Sequence, residues 1–309
     1  MSSASVLYDV PGPKARARNR IYNVASTLLL VGLIVFVIYR FDETGQFQGG
    51  LWDDYQYTAT QERILDGLVA TLKAFGIAAV LSLVLGAVLA AGRLSDHRAI
   101  RWSATVVVEF FRAMPLLIMI FLLWAAFFPN DPMWAVVFGL TLYNGSVQAE
   151  IFRAGINAVP KGQGEAAYAL GMRKTQVMVT VLIPQAVRSM LPSIISQLVV
   201  TLKDTSLGSI ILYQELLFVG KSFAQQTPPV DGVYAFIPMV IIFGSIYILM
   251  CLALSSLATL IERRTRRSAK GAPAGLPATA ATVMVDPSHS AEGQPTDPGS
   301  TTGASKSGR

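Results

Sequence analysis

Residues 21–39 carry no charged side chain. Wound as an α-helix, such a run is about long enough to cross ~30 Å of hydrocarbon. Further strongly apolar stretches follow at 66–91, 103–128, 133–156, 193–217 and 234–261. A bilayer supplies no water to backbone polar groups, so segments of this kind must satisfy their hydrogen bonds internally, as helices. The expected fold class is an all-α membrane protein with six transmembrane helices. A mean hydropathy of +0.49 with only 14% charged residues agrees, since neither figure suits an ordinary soluble domain.

The segments differ in detail. A signal peptide is the rival reading of the first, but Tyr39-Arg40-Phe41-Asp42 offers no small-x-small cleavage site, which favours a retained N-terminal helix. Residues 1–20, with Lys14, Arg16, Arg18 and Arg20, read as a flexible basic arm. In the second span Gly67, Gly76, Gly86 and Gly92 allow close helix packing. Pro115 bends the third, and 129–132 is a tight turn. The fourth is less apolar, with Asn144, Ser146 and Gln148 inside it. The fifth is interrupted by Lys203-Asp204-Thr205-Ser206. Residues 218–232 read as a polar connector containing Pro228-Pro229, and 262–270 as a basic stop. The tail at 263–309 is rich in Ala, Pro, Ser, Thr and Gly without periodicity and is expected to be disordered.

Charge sets the orientation. The segments 14–20, 93–101, 161–188 and 263–270 carry Arg and Lys, whereas 41–66, 129–132 and 218–232 are acidic or nearly neutral. Six spans with both termini cytoplasmic satisfy the positive-inside rule at every loop, and place 161–192 in the cytoplasm. The net charge of +6 lies beside apolar runs rather than among stacking aromatics, so the expected partner is a bilayer with anionic headgroups and not nucleic acid. Cys251 is the single cysteine, and the histidines are His97 and His289. No zinc spacing, P-loop, dinucleotide fingerprint or nucleophile elbow is present. The expectation is a chain without catalytic residues, bound metal or ATP-hydrolysing machinery.

Polar groups in the apolar segments are the candidates for function. Glu109 and Arg112 are three apart, as are Glu150 and Arg153, so each pair shares a helix face near a cytoplasmic end. The plain reading is charge neutralisation; the sharper one puts an arginine against a substrate carboxylate or a glutamate against an ammonium. Asn144 and Gln148 either line a path or bond between helices. Lys203, Asp204, Thr205 and Ser206 form either a break beside a translocation path or a structural pair near the interface. Lys73 is expected to snorkel.

The longest structured stretch between apolar segments is the loop from Lys161. A helix over 163–170 is stopped by Gly171, which accepts positive φ, and a second helix over 172–183 follows, with Pro184 and Pro192 limiting its continuation. Two short helices around a glycine corner can carry force between a membrane domain and a soluble partner. The spacing Glu165-Ala166-Ala167, Gly171, Val181-Leu182-Ile183-Pro184 resembles the cytoplasmic EAA loop of the permease subunits of ABC importers. Further blocks are similar to the polar amino-acid branch of that family: 109–117, 149–156, 159–163 and Lys203-Asp204-Thr205-Ser206-Leu207. The resemblance covers about 65–262. Ala113-Met114 departs from the family's usual Gly-Thr, and Gly164 stands where a bulky residue is common.

The resemblance implies a five-helix permease core preceded by one extra N-terminal helix, with the coupling loop at 158–192. It implies that Gly164, Glu165, Ala166, Ala167, Gly171 and Pro184 couple to a separate ATP-binding subunit, which carries the ATP and Mg; this chain binds no cofactor of its own. A second permease subunit, identical or different, and an external solute-binding protein complete the assembly. The substrate is then a polar amino acid, with the extra helix and long tails most similar to glutamate-type permeases of actinobacteria. An ion-gradient-driven secondary transporter is the alternative; it calls for inverted repeats with paired broken helices, and only one broken segment is present. A membrane enzyme would need a convergent nucleophile, metal cluster or acid–base pair.

Overall fold

The computed structural model describes residues 12–226 and 229–270, and the elements formed there are helical. Residues 1–11 and the tail beyond 270, including most of the segment expected to be disordered, lie outside the described residues. The first compact unit runs to Arg263; of the second, the described part is the helical stretch 264–270.

Helix α1, Pro13–Glu43, has Pro13 in its first turn, where the missing N–H costs nothing. It therefore starts inside the expected basic arm. Its apolar side chains, Ile21 through Ile38, are exposed. The helix ends at Thr44, whose Oγ1 donates to the Arg40 carbonyl at 2.8 Å. Gly45 at φ +72° reverses the chain, and Gln46 Oε1 accepts the Ile237 N–H at 3.2 Å, tying this corner to the start of the last helix.

Helix α2, Thr58–Arg93, spans 36 residues, about 54 Å of rise. Its buried side is small: Thr71, Ala74, Ala78, Ser82, Gly86 and Ala90, mostly four apart. That stripe packs against α5, Pro132–Asn157. At Gly86 a Cβ would stand 2.7 Å from Gln148 Cβ and 3.1 Å from the Gly145 carbonyl oxygen, so only glycine permits the approach. Gly67 and Gly92 are close approaches of the same kind, but Gly76 faces open space and plays no packing role. The core around α2 and α5 is closed by Ile120, Val136, Val137, Leu140, Ile211 and Tyr213.

The third expected span is not one straight crossing. Helices α3, Arg98–Ala113, and α4, Leu116–Ala126, meet at 98°. Pro115 disfavours the α conformation for the residue before it, and Met114 is extended at φ −79°, ψ 129°. With 11 residues α4 rises about 17 Å, too little to cross alone. Among the described residues four helical runs are long and apolar enough to cross a membrane, Lys14–Glu43, Thr58–Arg93, Lys174–Ile211 and Phe236–Leu257, or five if the bent pair is one span. Helix α5, at 26 residues, is long enough but more polar.

The loop after α5 carries α6, Lys161–Ala169, and α7, Lys174–Gln176. A π-helical segment, Val177–Leu182, then leads into α8, Ile183–Asp204. Pro184 and Pro192 do not limit the helix as expected. Pro184 lies in the first turn of α8, and Pro192 is accommodated inside it. A 3-10 segment, Thr205–Ile211, follows, so the break in the fifth span is a tightening of the helix after Asp204. Residues 218–232 are not simply a connector: α9, Leu216–Gln226, occupies most of them and packs on α2. A tight turn with positive φ at Asp231 and Gly232, closed by Val230 and Val233, precedes α10, Phe236–Lys270. That helix continues past the expected stop at 262.

Candidate functional site

The loop 158–192 is built around one joint. Ala167 on α6 and Val177 at the start of the π segment are both buried. The smallness of Ala167 lets α6 sit flat on the π segment. Gln185 Nε2 donates to Gln163 Oε1 at 3.4 Å across the same joint. At the other end of α6, Gly171 has φ +77°, its N–H donates to the Tyr168 carbonyl at 2.9 Å, and the Met172 N–H donates to the Ala167 carbonyl at 3.2 Å. This is a Schellman closure, and the left-handed residue it needs is the glycine read from the sequence. The corner leaves Leu170 84% and Tyr168 50% exposed. Glu165 and Ala166 are exposed on α6, Gly164 is half-buried with open space where a Cβ would be, and Pro184 is exposed.

A second support was not legible in sequence. Lys174, at the start of α7, pairs with Asp96 in the turn between α2 and α3. The hydrogen bond from the Lys174 ammonium, then its charge, holds the Asp96 carboxyl below its ordinary value. Arg101 Nη1 donates to the Ser95 carbonyl at 2.9 Å and so shapes the same turn. The turn between α2 and α3 and the loop 158–192 are thereby joined, far apart as they are in sequence.

The expected pairs Glu109–Arg112 and Glu150–Arg153 both form, at 3.8 Å and 2.5 Å. They are not separate. Arg93, at the end of α2, reaches Glu150 at 2.8 Å and Glu109 at 3.7 Å, so α2, α3 and α5 share one network. Arg93 is largely buried, and its role has no signature in sequence because the guanidinium sits in what reads as a basic loop.

Asn144 and Gln148 are fully buried between α5 and α8. Gln197 Nε2 donates to Asn144 Oδ1 at 2.7 Å, and Gln148 Nε2 donates to the Ile194 carbonyl at 3.4 Å. Both side chains thus reach from α5 to α8. Thr205 is buried with its hydroxyl on the Leu202 carbonyl at 2.6 Å. Lys203 and Ser206 instead line a cavity of about 340 Å³ with Met239, Phe243 and Tyr247. Lys203 and Tyr247 also border a second cavity of about 360 Å³ toward Cys251 and Ser255. Lys203 and Asp204 form no ion pair with each other among the described residues. Lys73 is exposed on α2.

The residue missed entirely is Glu215. It is fully buried, and its carboxylate accepts the N–H groups of Leu217 at 2.9 Å and Phe218 at 2.7 Å, capping α9. Tyr247 on α10 donates its hydroxyl to the same carboxylate at 2.5 Å, and Thr71 on α2 accepts the Leu216 N–H at 3.0 Å. One acid therefore joins α9 to α10 beside the Lys203 cavity. An acid before an N-terminus is the only signal the sequence offers for it, and the polar residues Lys221, Gln225 and Gln226 that follow hide the helix it caps.

Comparison with known proteins places this architecture. The family described as binding-protein-dependent transport system inner membrane component matches residues 82–267. The glutamate transport system permease protein GluD of Corynebacterium glutamicum is 41% identical over 230 residues, covering 72% of this chain and 82% of that one. The arginine transport system permease protein ArtQ of Bacillus subtilis is 32% identical, covering 66% and 92%. Among solved structures, an amino acid ABC transporter crystallised with histidines aligns at a TM-score of 0.59 with 32% identity, covering 66% of this chain and 94% of that one. The inward-facing MetNI methionine ABC transporter aligns at 0.57 with 15% identity, a likeness of fold alone.

Proposed function

The chain belongs to the binding-protein-dependent transport system inner membrane component family, and from that premise we propose that it is one permease subunit of an ATP-driven importer for a polar amino acid, with glutamate or a related one favoured. Its relatives are amino-acid permeases, which favours this reading over an ion-gradient-driven transporter. It is a transporter subunit rather than an enzyme, and hydrolysis belongs to a separate ATPase chain that holds ATP and Mg. A second permease subunit supplies the other half of the path, and an external binding protein delivers solute. The chain crosses the inner membrane six times with α5 as the polar crossing, and both termini are cytoplasmic. The basic loops support that orientation.

The observation that carries the coupling role is the corner at Gly171. It turns α6 outward, with Leu170 and Tyr168 uncovered outside any apolar span, while Ala167 and Val177 fasten the same helix to the run that becomes α8. A helix so mounted is covered on one side and offers Glu165, Ala166 and Leu170 on the other. Docked against the ATPase, it passes a push through the π segment into α8, along which Lys203 borders the candidate path. Glu109, Arg112, Asn144, Gln148 and Lys203 to Ser206 remain candidates for that path, Lys203 and Ser206 as lining and the others as the groups that hold its walls.

Co-purification tests it. Wild type brings an ATPase with it, and Glu165→Lys with Gly171→Pro loses that activity, because proline cannot adopt positive φ. An unchanged ATPase yield in the double variant, with the helices still folded, overturns the coupling assignment.

A further inference from the structure

We propose that the cavity between the first turns of α2 and the helix α9 is an outward-facing subsite for the zwitterionic head of an α-amino acid. This rests on the importer reading, which places that end of α2 on the external side. The cavity holds about 270 Å³, just below the ~300–1,000 Å³ usual for small-molecule sites. Arg63 and Asp66 line it from α2; Gln214, Ser222 and Gln226 line it from the turn before α9 and from α9 itself.

Its chemistry is that of an amino-acid head. Arg63 and Asp66 are three apart and share a helix face, yet among the described residues they make no ion pair with each other or with another group. The Arg63 guanidinium instead lies over the Phe223 ring, 4.7 Å from its centroid, which fixes the fork without using its hydrogen-bond donors. A forked donor held in place recognises a carboxylate in two parallel bonds. Asp66 is left to accept from an ammonium. One positive and one negative group, both unspent, match a zwitterion; a purely anionic or cationic solute leaves one of them facing a like or empty neighbour. The neutral amides of Gln214 and Gln226 and the Ser222 hydroxyl are left for a polar side chain of the solute. Gly67 keeps the floor close: a Cβ there would stand 2.9 Å from Val219 Cγ2, so α9 approaches α2 only because none is present.

The test is equilibrium binding of radiolabelled L-glutamate, L-glutamine and L-arginine to the full chain purified with its ATPase and permease partners, without the binding protein. At least one label binds wild type. Arg63→Gln and Asp66→Asn each weaken that binding tenfold or more, and Arg63→Lys restores part of it. The Asp66→Asn protein also loses its preference for the bound amino acid over the analogue lacking the ammonium group, which a merely structural defect would not produce. No label bound to wild type, or binding unchanged in both variants, overturns the inference. ATPase activity is read on the same samples: present without binding, it sinks the subsite alone; absent, it sinks the importer reading.

Discussion

At Gly86 and Gly76 one residue type meets two fates on one helix. Both lie in the same apolar stretch and look alike in sequence. At Gly86 a methyl group would press on Gln148 and on the Gly145 backbone; at Gly76 it would meet nothing within 4 Å. Gly86→Ala is therefore expected to cost about 1–3 kcal/mol through overpacking. Gly76→Ala gains about 0.5–1 kcal/mol, because alanine is the better helix former. Thermal melting of the two variants in detergent reads both signs; equal shifts would contradict the α2–α5 packing. Residues such as Gly171 were legible because positive φ is a backbone demand that glycine answers locally. Glu215 was not, since a capping acid buried by a distant tyrosine has the same letter as a solvated one.

Between elements, the supports of the loop 158–192 divide into an apolar joint and a charged tie. The joint of α6 on the π segment, where Ala167 and Val177 are both buried, carries no charge at these two residues and should respond to neither salt nor pH. The Asp96–Lys174 tie is exposed, so salt screens it. Its pH dependence follows from the depressed carboxyl. The contribution is fully present above the ordinary aspartate value of 3.8 and is lost as pH falls through the lower folded value. The melting difference between wild type and Asp96→Asn should hold from pH 7 to pH 5 and close only in stronger acid. A difference that vanished by pH 5 would show that the tie does not form. Long apolar runs revealed α2 and α10, whereas α8 was divided at its prolines into the end of one helix and the start of a span at 193. Sequence periodicity misjudged Pro192, since neighbouring helices can satisfy the carbonyl a proline frees. It misjudged α9, since Lys221, Gln225 and Gln226 give a short helix the composition of a loop. The right angle at Pro115 was seen as a bend only, because proline marks the place of a break and not its size.

For the whole molecule, the helices α2 to α10 share their buried surface while α1 contributes none. No buried area is lost if it is removed, so its stability in the bilayer is its own. Deleting residues 13–40 is expected to leave the melting temperature of the rest and the co-purifying ATPase unchanged. A large fall in either would mean that α1 packs on a subunit of the assembly. The overall class was legible because hydropathy and loop charge act over whole segments. The shared network through Arg93 was not, because it depends on where three helices end in space.

The π segment at Val177–Leu182 has a consequence for phase. A π turn holds one residue more than an α-helix needs for the same advance. It sits like a clutch plate with a single extra tooth between α6 and α8. Taking out the surplus residue, as in a Val179 deletion, would leave an unbroken α-helix with both flanks in nearly their present phase, whereas inserting one alanine after Val187 in α8 would turn everything before it by about 100° relative to everything after. The chain with the inserted residue would still enter the membrane, its apolar runs being intact, but Leu170 and Glu165 would point in a different direction relative to α8. Normal membrane yield with no ATPase attached is the expected signature, a transmission assembled complete and out of gear.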